Sequence, residues 1–497
     1  MFRAFQLQGF WLRGTLLAIA LIVGPAGIPD TAQAKSQESS IRQTSADDEA
    51  EEVPDEAGHA RFQGSLTIED FEELAHENNP TLRQAAEVVQ EQRGLWRQVG
   101  AYPNPTVGYL RSDPSNSALA GSQEQGGLFS QTIVTGGKLR LNRAVESQQI
   151  NNALWELEAQ RMRVLNDLRI RFLEVLAAQA SMKLTDRLLK VARHGEDLVE
   201  AAIQAKTASR ADLLQVRIQR SGVQIAHQDA LFRYESAWRQ MVIMAGVPEM
   251  AFTPIKGNLR SGPAPLNEEE SLQQLFAASP QLRAAEALLE RSKYRYKREH
   301  AEPIPDVSIQ EVVQYDRISR TTTASTLLAI PLPVFNRNQG NIAAAFAEIH
   351  QADAEIERVR LTLQDQLTGA FRRYRTALNQ VERYDTEILP DAKESLELIQ
   401  LGFKSGEFNL LNVLIARQTY FQTSIAYIDA LTELRKVEVE IQGFLLTGGG
   451  LNPAAIGGAI QNQQQGGRLQ LQGLIKQQQQ EGAQQFLRSA AAQQTGG

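Results

Sequence analysis

Six histidines, at positions 59, 76, 194, 227, 300 and 350, are the residues most able to ligate a metal in this chain, and none clusters at ligand spacing. Cysteine is absent, which removes disulfides, thiolate metal sites and a cysteine nucleophile. Gly136-Gly137-Lys138 lacks both the first glycine of a phosphate loop and the Ser or Thr that follows its lysine. No Ser-His-Asp order or acid pair stands in a context that suggests a pocket. The reading is therefore of a chain without catalytic, cofactor or metal residues, and not an enzyme. What remains are two charged polar turns, Lys206-Thr207-Ala208-Ser209-Arg210 and Lys404-Ser405-Gly406-Glu407. Ser209 with Asp212 three residues on is a capping-box pattern, and Asn409 is placed to cap the helix after the second turn. Such turns can cap helices and present charge at once; their chemistry is recognition and electrostatics, not bond-making.

The elements that hold these turns repeat. Pro80-Thr81-Leu82-Arg83 returns as Pro280-Gln281-Leu282-Arg283, and Pro103-Asn104-Pro105-Thr106-Val107 as Pro303-Ile304-Pro305-Asp306-Val307, both at an offset of 200. Leu213-Leu214-Gln215-Val216 resembles Leu410-Leu411-Asn412-Val413. Each copy predicts a helix opening on its proline (about 80–101 and 280–301), ended by Pro-x-Pro. Two weak strands follow in each, about 106–112 with 125–133, and 306–316 with 321–330; Val307, Ile309, Val313 and Tyr315 share one face that Glu311 interrupts. Then come rods from Lys138 to about Lys206 and from Asn341 to about Lys404. About 65 residues at 1.5 Å each give a rod of roughly 100 Å, longer than a compact domain holds. Ile342, Ala345, Ile349, Ala352, Ile356, Val359 and Leu363 keep a 3-4 spacing, as do Leu165, Leu168, Phe172 and Val175. That is a coiled-coil seam, which requires a partner helix, and a second helix returns after each turn. Pro390, at the position of Lys190 in the first copy, predicts a kink in the second rod.

Composition agrees: of 497 residues 42% are hydrophobic but only 6% aromatic, which argues against a large all-β enzyme, and a net charge of −7 argues against a nucleic-acid binder. Residues 1–34 read as an export signal, with Arg3 and Arg13 before an apolar stretch and Ala32-Gln33-Ala34 as the cleavage site. That stretch, of about 14 residues, falls short of the roughly 20 a spanning helix needs. With no cysteine after the signal, an amino-terminal lipid anchor is not expected. Residues 35–65 read as an acidic disordered leader, 66–265 and 266–446 as two structural repeats (helix, β-hairpin, long helix, return helix), and 447–497 as a Gln- and Gly-rich disordered tail.

Four strands cannot close a barrel in a bilayer, where an open sheet edge is not tolerated and single-chain barrels start at about eight strands. Chains must pool them. Three chains would supply twelve strands and twelve rods, giving a β-cylinder in the membrane and an α-cylinder projecting from it. The expected fold is mainly α with a small β part: long antiparallel coiled-coil helices forming an α-barrel that projects from the membrane, plus two β-hairpins per chain in a trimeric 12-stranded transmembrane barrel.

The double repeat, the Pro-x-Pro before each hairpin, the Gly-Gly-Lys after the first, and above all Phe403-Lys404-Ser405-Gly406-Glu407-Phe408-Asn409-Leu410-Leu411-Asn412-Val413-Leu414 resemble the TolC family of outer-membrane efflux proteins over residues 66–446. With Ala416-Arg417-Gln418-Thr419 following, the resemblance is nearest the branch serving heavy-metal and cation pumps of the resistance-nodulation-division type. It implies a homotrimer in the bacterial outer membrane, in contact with its lipid, that docks on a periplasmic adaptor (membrane fusion protein) and an inner-membrane pump. It also implies that the tips, Lys206, Thr207, Ser209, Arg210, Lys404, Ser405, Gly406, Glu407 and Phe408, meet the adaptor. Asp212 matches a family aspartate that helps hold the tunnel closed. Phe408 stands where some members have arginine, and Asn412 and Ile415 where they place carboxylates, so Asp212, Glu407 and Asn412 are the pore-mouth residues expected here, with Asp212 and Glu407 supplying negative field. The alternative is a secreted or periplasmic coiled-coil scaffold without a pore, in which the strands are loops. An adaptor protein would need lipoyl-like and β-barrel modules that the sequence does not display.

Overall fold

Proline at the start of a helix sacrifices no hydrogen bond, and Asn79-Pro80 and Ser279-Pro280 exploit this at equivalent points of the chain. Asn79 Oδ1 accepts the Thr81 N–H at 2.9 Å, while its own amide donates to Met244 O across the fold. In this computed structural model residues 65–112, 124–317 and 319–451 are described; the export signal, the leader up to residue 64, the tail beyond 451 and the first hairpin's connection lie outside them. The first copy runs α1 (Ile68–Asn78), α2 (Pro80–Val99), β1 (Thr106–Ser112), β2 (Glu124–Ile133), α3 (Lys138–Gln204) and α4 (Arg210–Met244). The second runs α5 (Glu268–Ala278), α6 (Pro280–Ala301), β3 (Val307–Asp316), β4 (Thr321–Ala329), α7 (Gln339–Arg383), a π-helical turn (Tyr384–Ile388), α8 (Leu389–Ser405) and α9 (Leu410–Gln442). Helices α1 and α5 were not legible in the repeat pattern, because each is a short segment set against the rods.

The rods differ in a way the proline alone does not convey. α3 is continuous for 67 residues, and Lys190 within it pairs with Asp186 at 2.8 Å. In the second copy the π turn comes just before Pro390, which lies in the first turn of α8. One wider turn absorbs the missing N–H, so the helix is re-registered instead of broken.

Lateral packing has one order at every height. The sheet is antiparallel, β1-β2-β3-β4, so the two hairpins join directly through β2 and β3. Nearer the sheet, α3 packs between α2 and α6, and α6 packs on α7. Farther away, α3 packs between α4 and α9, and α9 packs on α7 and α8. Apolar residues at the 3-4 spacing fill these seams: Leu168, Phe172 and Val175 are buried in α3, and Ala345, Ile356 and Leu363 in α7. Midway, Phe71 of α1 is fully buried between Phe172 and Trp238, with ring centroids 6.2 and 5.9 Å away.

The register fixes the faces of the sheet. Val107, Phe129, Ile309, Val313, Tyr315 and Leu328 lie on one, Ser130, Ser308, Gln310, Gln314 and Thr323 on the other. Glu311 sits amid the apolar face, and its carboxylate accepts from Thr326 Oγ1 on the adjoining strand at 2.6 Å. No helix among the described residues is long and apolar enough to cross a membrane.

The sheet is fastened to the rods at a corner shared by both copies. Gly136 and Gly137 have φ of 63° and 68°, a region closed to most side chains, and a Cβ on Gly136 would press on Ile304 at 3.1 Å. This tight turn delivers Lys138, almost fully buried, to Asp306 of the second Pro-x-Pro at 3.1 Å, and the same carboxylate accepts the Thr135 N–H at 2.9 Å. Replacing Asp306 by Ala leaves a buried ammonium unpaired. Asp306→Ala should therefore cost about 3 kcal/mol, seen as a lowered unfolding temperature in detergent. Lys393→Ala, which removes an exposed pair with Glu397, should cost less than about 0.5 kcal/mol.

Candidate functional site at the rod tips

A helix that reverses direction must satisfy its last carbonyls and the first N–H groups of its successor. The two rod ends solve this alike at an offset of 200. The Thr207 N–H donates to Ala202 O at 2.8 Å, and the Glu407 N–H to Gly402 O at 2.8 Å. The residue before each bond is left-handed: Gly406 has φ of 83°, but its counterpart Lys206 adopts 56° with a side chain attached. Ser209 Oγ then accepts the Asp212 N–H at 3.2 Å, and Asn409 Oδ1 accepts the Asn412 N–H at 3.1 Å. In the first tip Asp212 completes a reciprocal cap, accepting the Ser209 N–H at 2.9 Å and its hydroxyl at 2.7 Å.

The tips present different chemistry outward. Lys206, Thr207, Ser209 and Arg210 are exposed in the first, Lys404, Ser405, Gly406 and Glu407 in the second. Ser405 Oγ donates to Gly402 O at 3.0 Å. Phe408 folds its ring onto Gly402, whose missing side chain makes the room. The Ser209 backbone N–H, aided by its hydroxyl, holds the Asp212 carboxyl below the usual aspartate range, so it is ionised at neutral pH. Glu407 makes no side-chain ion pair or hydrogen bond among the described residues, and neither do the cations Lys206, Arg210 and Lys404. Asn412 is partly buried, as is Asp212, and its backbone N–H is the group that the Asn409 cap accepts.

Two features escaped the sequence reading. Gly402 is the floor for Phe408, visible only when Ala202 and Gly402 are compared at the repeat offset. A charge cluster also lies above the first tip: the buried Glu196 carboxylate meets Arg217 Nε at 2.9 Å and Arg220 Nη1 at 2.8 Å, and Arg217 Nη2 reaches Glu200 at 2.7 Å. Reflecting the chain about the turn near residue 207 would have brought these positions to within about one helical turn of each other. Among the described residues no group of three or more potential ligands could hold a metal.

A long-rod wall topped by an open four-stranded sheet, apolar on one face, defines a segment of a membrane conduit. The sequence model of the outer membrane efflux protein family matches residues 73–247 and 271–445, and the chain belongs to that family. The cobalt-zinc-cadmium resistance protein CzcC of Cupriavidus metallidurans is 27% identical over 391 residues, spanning 77% of this chain and 90% of the relative. Two solved structures share the fold: a membrane protein from Pseudomonas aeruginosa (19% identity, TM-score 0.64, 76% of this chain and 93% of that one) and VceC of Vibrio cholerae (16%, 0.62, 77% and 96%). The protein is thus an outer-membrane efflux channel component with a helical barrel in the periplasm, and not an enzyme.

Lys206→Gly should relieve the left-handed strain, worth about 1 kcal/mol, and slow hydrogen exchange at the Thr207 amide about fivefold; Gly406→Lys should do the reverse at Glu407. Because the Asp212 carboxyl is lowered, its contribution is present above the ordinary aspartate pKa of about 4 and is lost as pH falls through the folded value. Amide protection in the first turn of α4 should therefore fade on acidification below about pH 4, and Asp212→Asn should abolish that pH dependence.

Proposed function

We propose that residues 66–265 and 266–446 are the two halves of one wall segment, and that three chains close into a 12-stranded barrel continuous with a 12-rod tunnel. The observation that carries this reading is the shared lateral order of the layers. β1, α2 and α4 all fall at one edge of the chain and β4, α7 and α8 at the other. A head-to-tail contact can therefore pair the free strand edges and seat the free rods in a single rotation, and such a contact closes into a ring. Both rod edges carry unpartnered apolar residues: Leu214, Ile218, Ile225 and Phe232 on α4, Leu398 and Leu401 on α8. A pore-less scaffold would leave these stripes and the apolar sheet face bare. Ile218, 74% exposed, tests this. Ile218→Glu together with Ile225→Glu should shift the detergent-solubilised protein from trimer to monomer in light scattering, while a control on the polar flank of α4, the exposed Gln224→Glu, leaves the trimer intact.

The tips, in this reading, dock a periplasmic adaptor that connects to an inner-membrane pump of the resistance-nodulation-division type. The named resistance of the Cupriavidus relative supports divalent metal cations as the cargo. Asp212, fixed by its cap, and Glu407, which is free, are the carboxylates of the mouth, with Asn412 behind them. Their field attracts cations in a narrow passage, against the opposing charge of Lys206, Arg210 and Lys404. Single-channel recording decides the point: Asp212→Asn with Glu407→Gln should lower cation selectivity, and an unchanged selectivity would remove these residues from the gate. A strain lacking the gene should become sensitive to cobalt, zinc or cadmium ions before it becomes sensitive to dyes or detergents.

A further inference from the structure

The chain is acidic overall, yet the helix ends directly beneath the sheet expose cations. Arg97 lies in the last turn of α2, Arg140 in the first turn of α3, Lys297 near the end of α6, and Arg337 just ahead of α7. All four are exposed, and none has a carboxylate partner among the described residues; Lys297 lies over the Tyr294 ring at 4.9 Å. Of the other cations of this zone Arg143 lies over the Trp96 ring at 5.0 Å, and three are neutralised. Lys138 pairs with Asp306, Arg295 with Glu348, and Arg298 with Glu302, all within 3.1 Å. The free charge is therefore at the surface, on all four helix ends.

Their depth is set by helix rise. Arg97, Arg140 and Lys297 lie within four residues, about 6 Å of rise, of the sheet-facing ends of their helices, and Arg337 lies two residues ahead of α7, so all four share a layer on the scale of a lipid headgroup region. The segment leaving β4 gives the side. Ile330 continues the alternation of the apolar face through Leu328, and Leu332, Val334 and Phe335 follow it at 78, 59 and 93% exposure. Arg337 comes two residues later. Apolar strand face, exposed apolar and aromatic residues, then unpaired cations is the order of a bilayer interface read from hydrocarbon to headgroup.

We propose that Arg97, Arg140, Lys297 and Arg337, with Leu332 and Phe335, form a collar that binds the anionic headgroups of phospholipids in the periplasmic leaflet of the outer membrane. A zwitterionic headgroup offers these cations no net charge, whereas an anionic one is attracted by about 1 kcal/mol per lysine or arginine. The collar rests on the trimeric reading above, since each chain supplies only a third of it. It fixes the height of the channel in the membrane independently of the tips and the cargo.

The test uses the full chain, first sized as a trimer in detergent, so that a monomeric preparation counts against the trimeric reading and not against the collar. Unfolding temperature is then followed while phosphatidylglycerol or phosphatidylcholine is titrated in. Phosphatidylglycerol should raise it and phosphatidylcholine should not, and about 0.5 M salt should erase the difference. Apparent affinity for phosphatidylglycerol should fall about fivefold for each cation removed in the series Arg337→Gln, Lys297→Gln, Arg140→Gln, Arg97→Gln. Equal shifts with the two lipids, a shift insensitive to salt, or an undiminished shift in the variants would overturn the proposal. Should the fourfold variant fail to assemble, the salt titration of the unaltered protein and the single Arg337→Gln decide it.

Discussion

An unpaired strand edge in hydrocarbon exposes backbone N–H and C=O groups that nothing there can satisfy, at several kcal/mol apiece. This chain brings four strands to the membrane and leaves β1 and β4 each with one such edge. The remaining architecture answers that constraint. One face of the sheet is the richer in apolar and aromatic side chains, as a face turned to hydrocarbon requires. The rods keep the same lateral order as the strands because a neighbour that seals one edge must seat against all the layers together. The corner at Asp306, where Thr135 and Lys138 of the first copy meet the second, holds the sheet in line with the rods, so strand pairing and rod packing are set by the same rotation.

Duplication supplies the geometry, and divergence between the copies makes the two tips chemically distinct. Both tips close with the same backbone bonds, yet one carries Lys206 and Arg210 with a capped aspartate and the other a free Glu407 beside the Phe408 ring. In the proposed ring these two surfaces alternate around the mouth. The π turn before Pro390 extends the asymmetry into the rods: α3 is an unbroken spring, whereas its counterpart contains one wider turn at which helical register can shift.

Much of this was legible in the sequence because repeats and prolines are local signals. The 200-residue offset, the Pro-x-Pro stops and the 3-4 apolar spacing placed the long rods and the four strands to within a few residues. The capping role of Ser209 and Asp212 was equally plain, since a capping box spans only three residues. Less legible was anything set by contacts distant along the chain. α1 and α5 gain their stability by packing against the rods, as Phe71 does between Phe172 and Trp238, and their own period is too short to announce them. The partnership of Lys138 with Asp306 joins residues of different copies, and the burial of Glu196 between two arginines exists only once α3 and α4 are folded back on each other. Pro390 carried a signal that pointed to a kink, while its physical resolution, a π turn just upstream, depends on neighbouring helices holding the rod straight.

The central claim is that β1 of one chain pairs with β4 of the next until three chains close. The absence of native cysteine makes it directly measurable, by placing Tyr109→Cys on β1 against a series on β4, from Thr322→Cys to Leu328→Cys, and oxidising the protein in native membranes. The account predicts that at least one combination yields covalent trimers and nothing larger on a denaturing gel. Monomers for every combination, or an open ladder that runs past three chains, would contradict it.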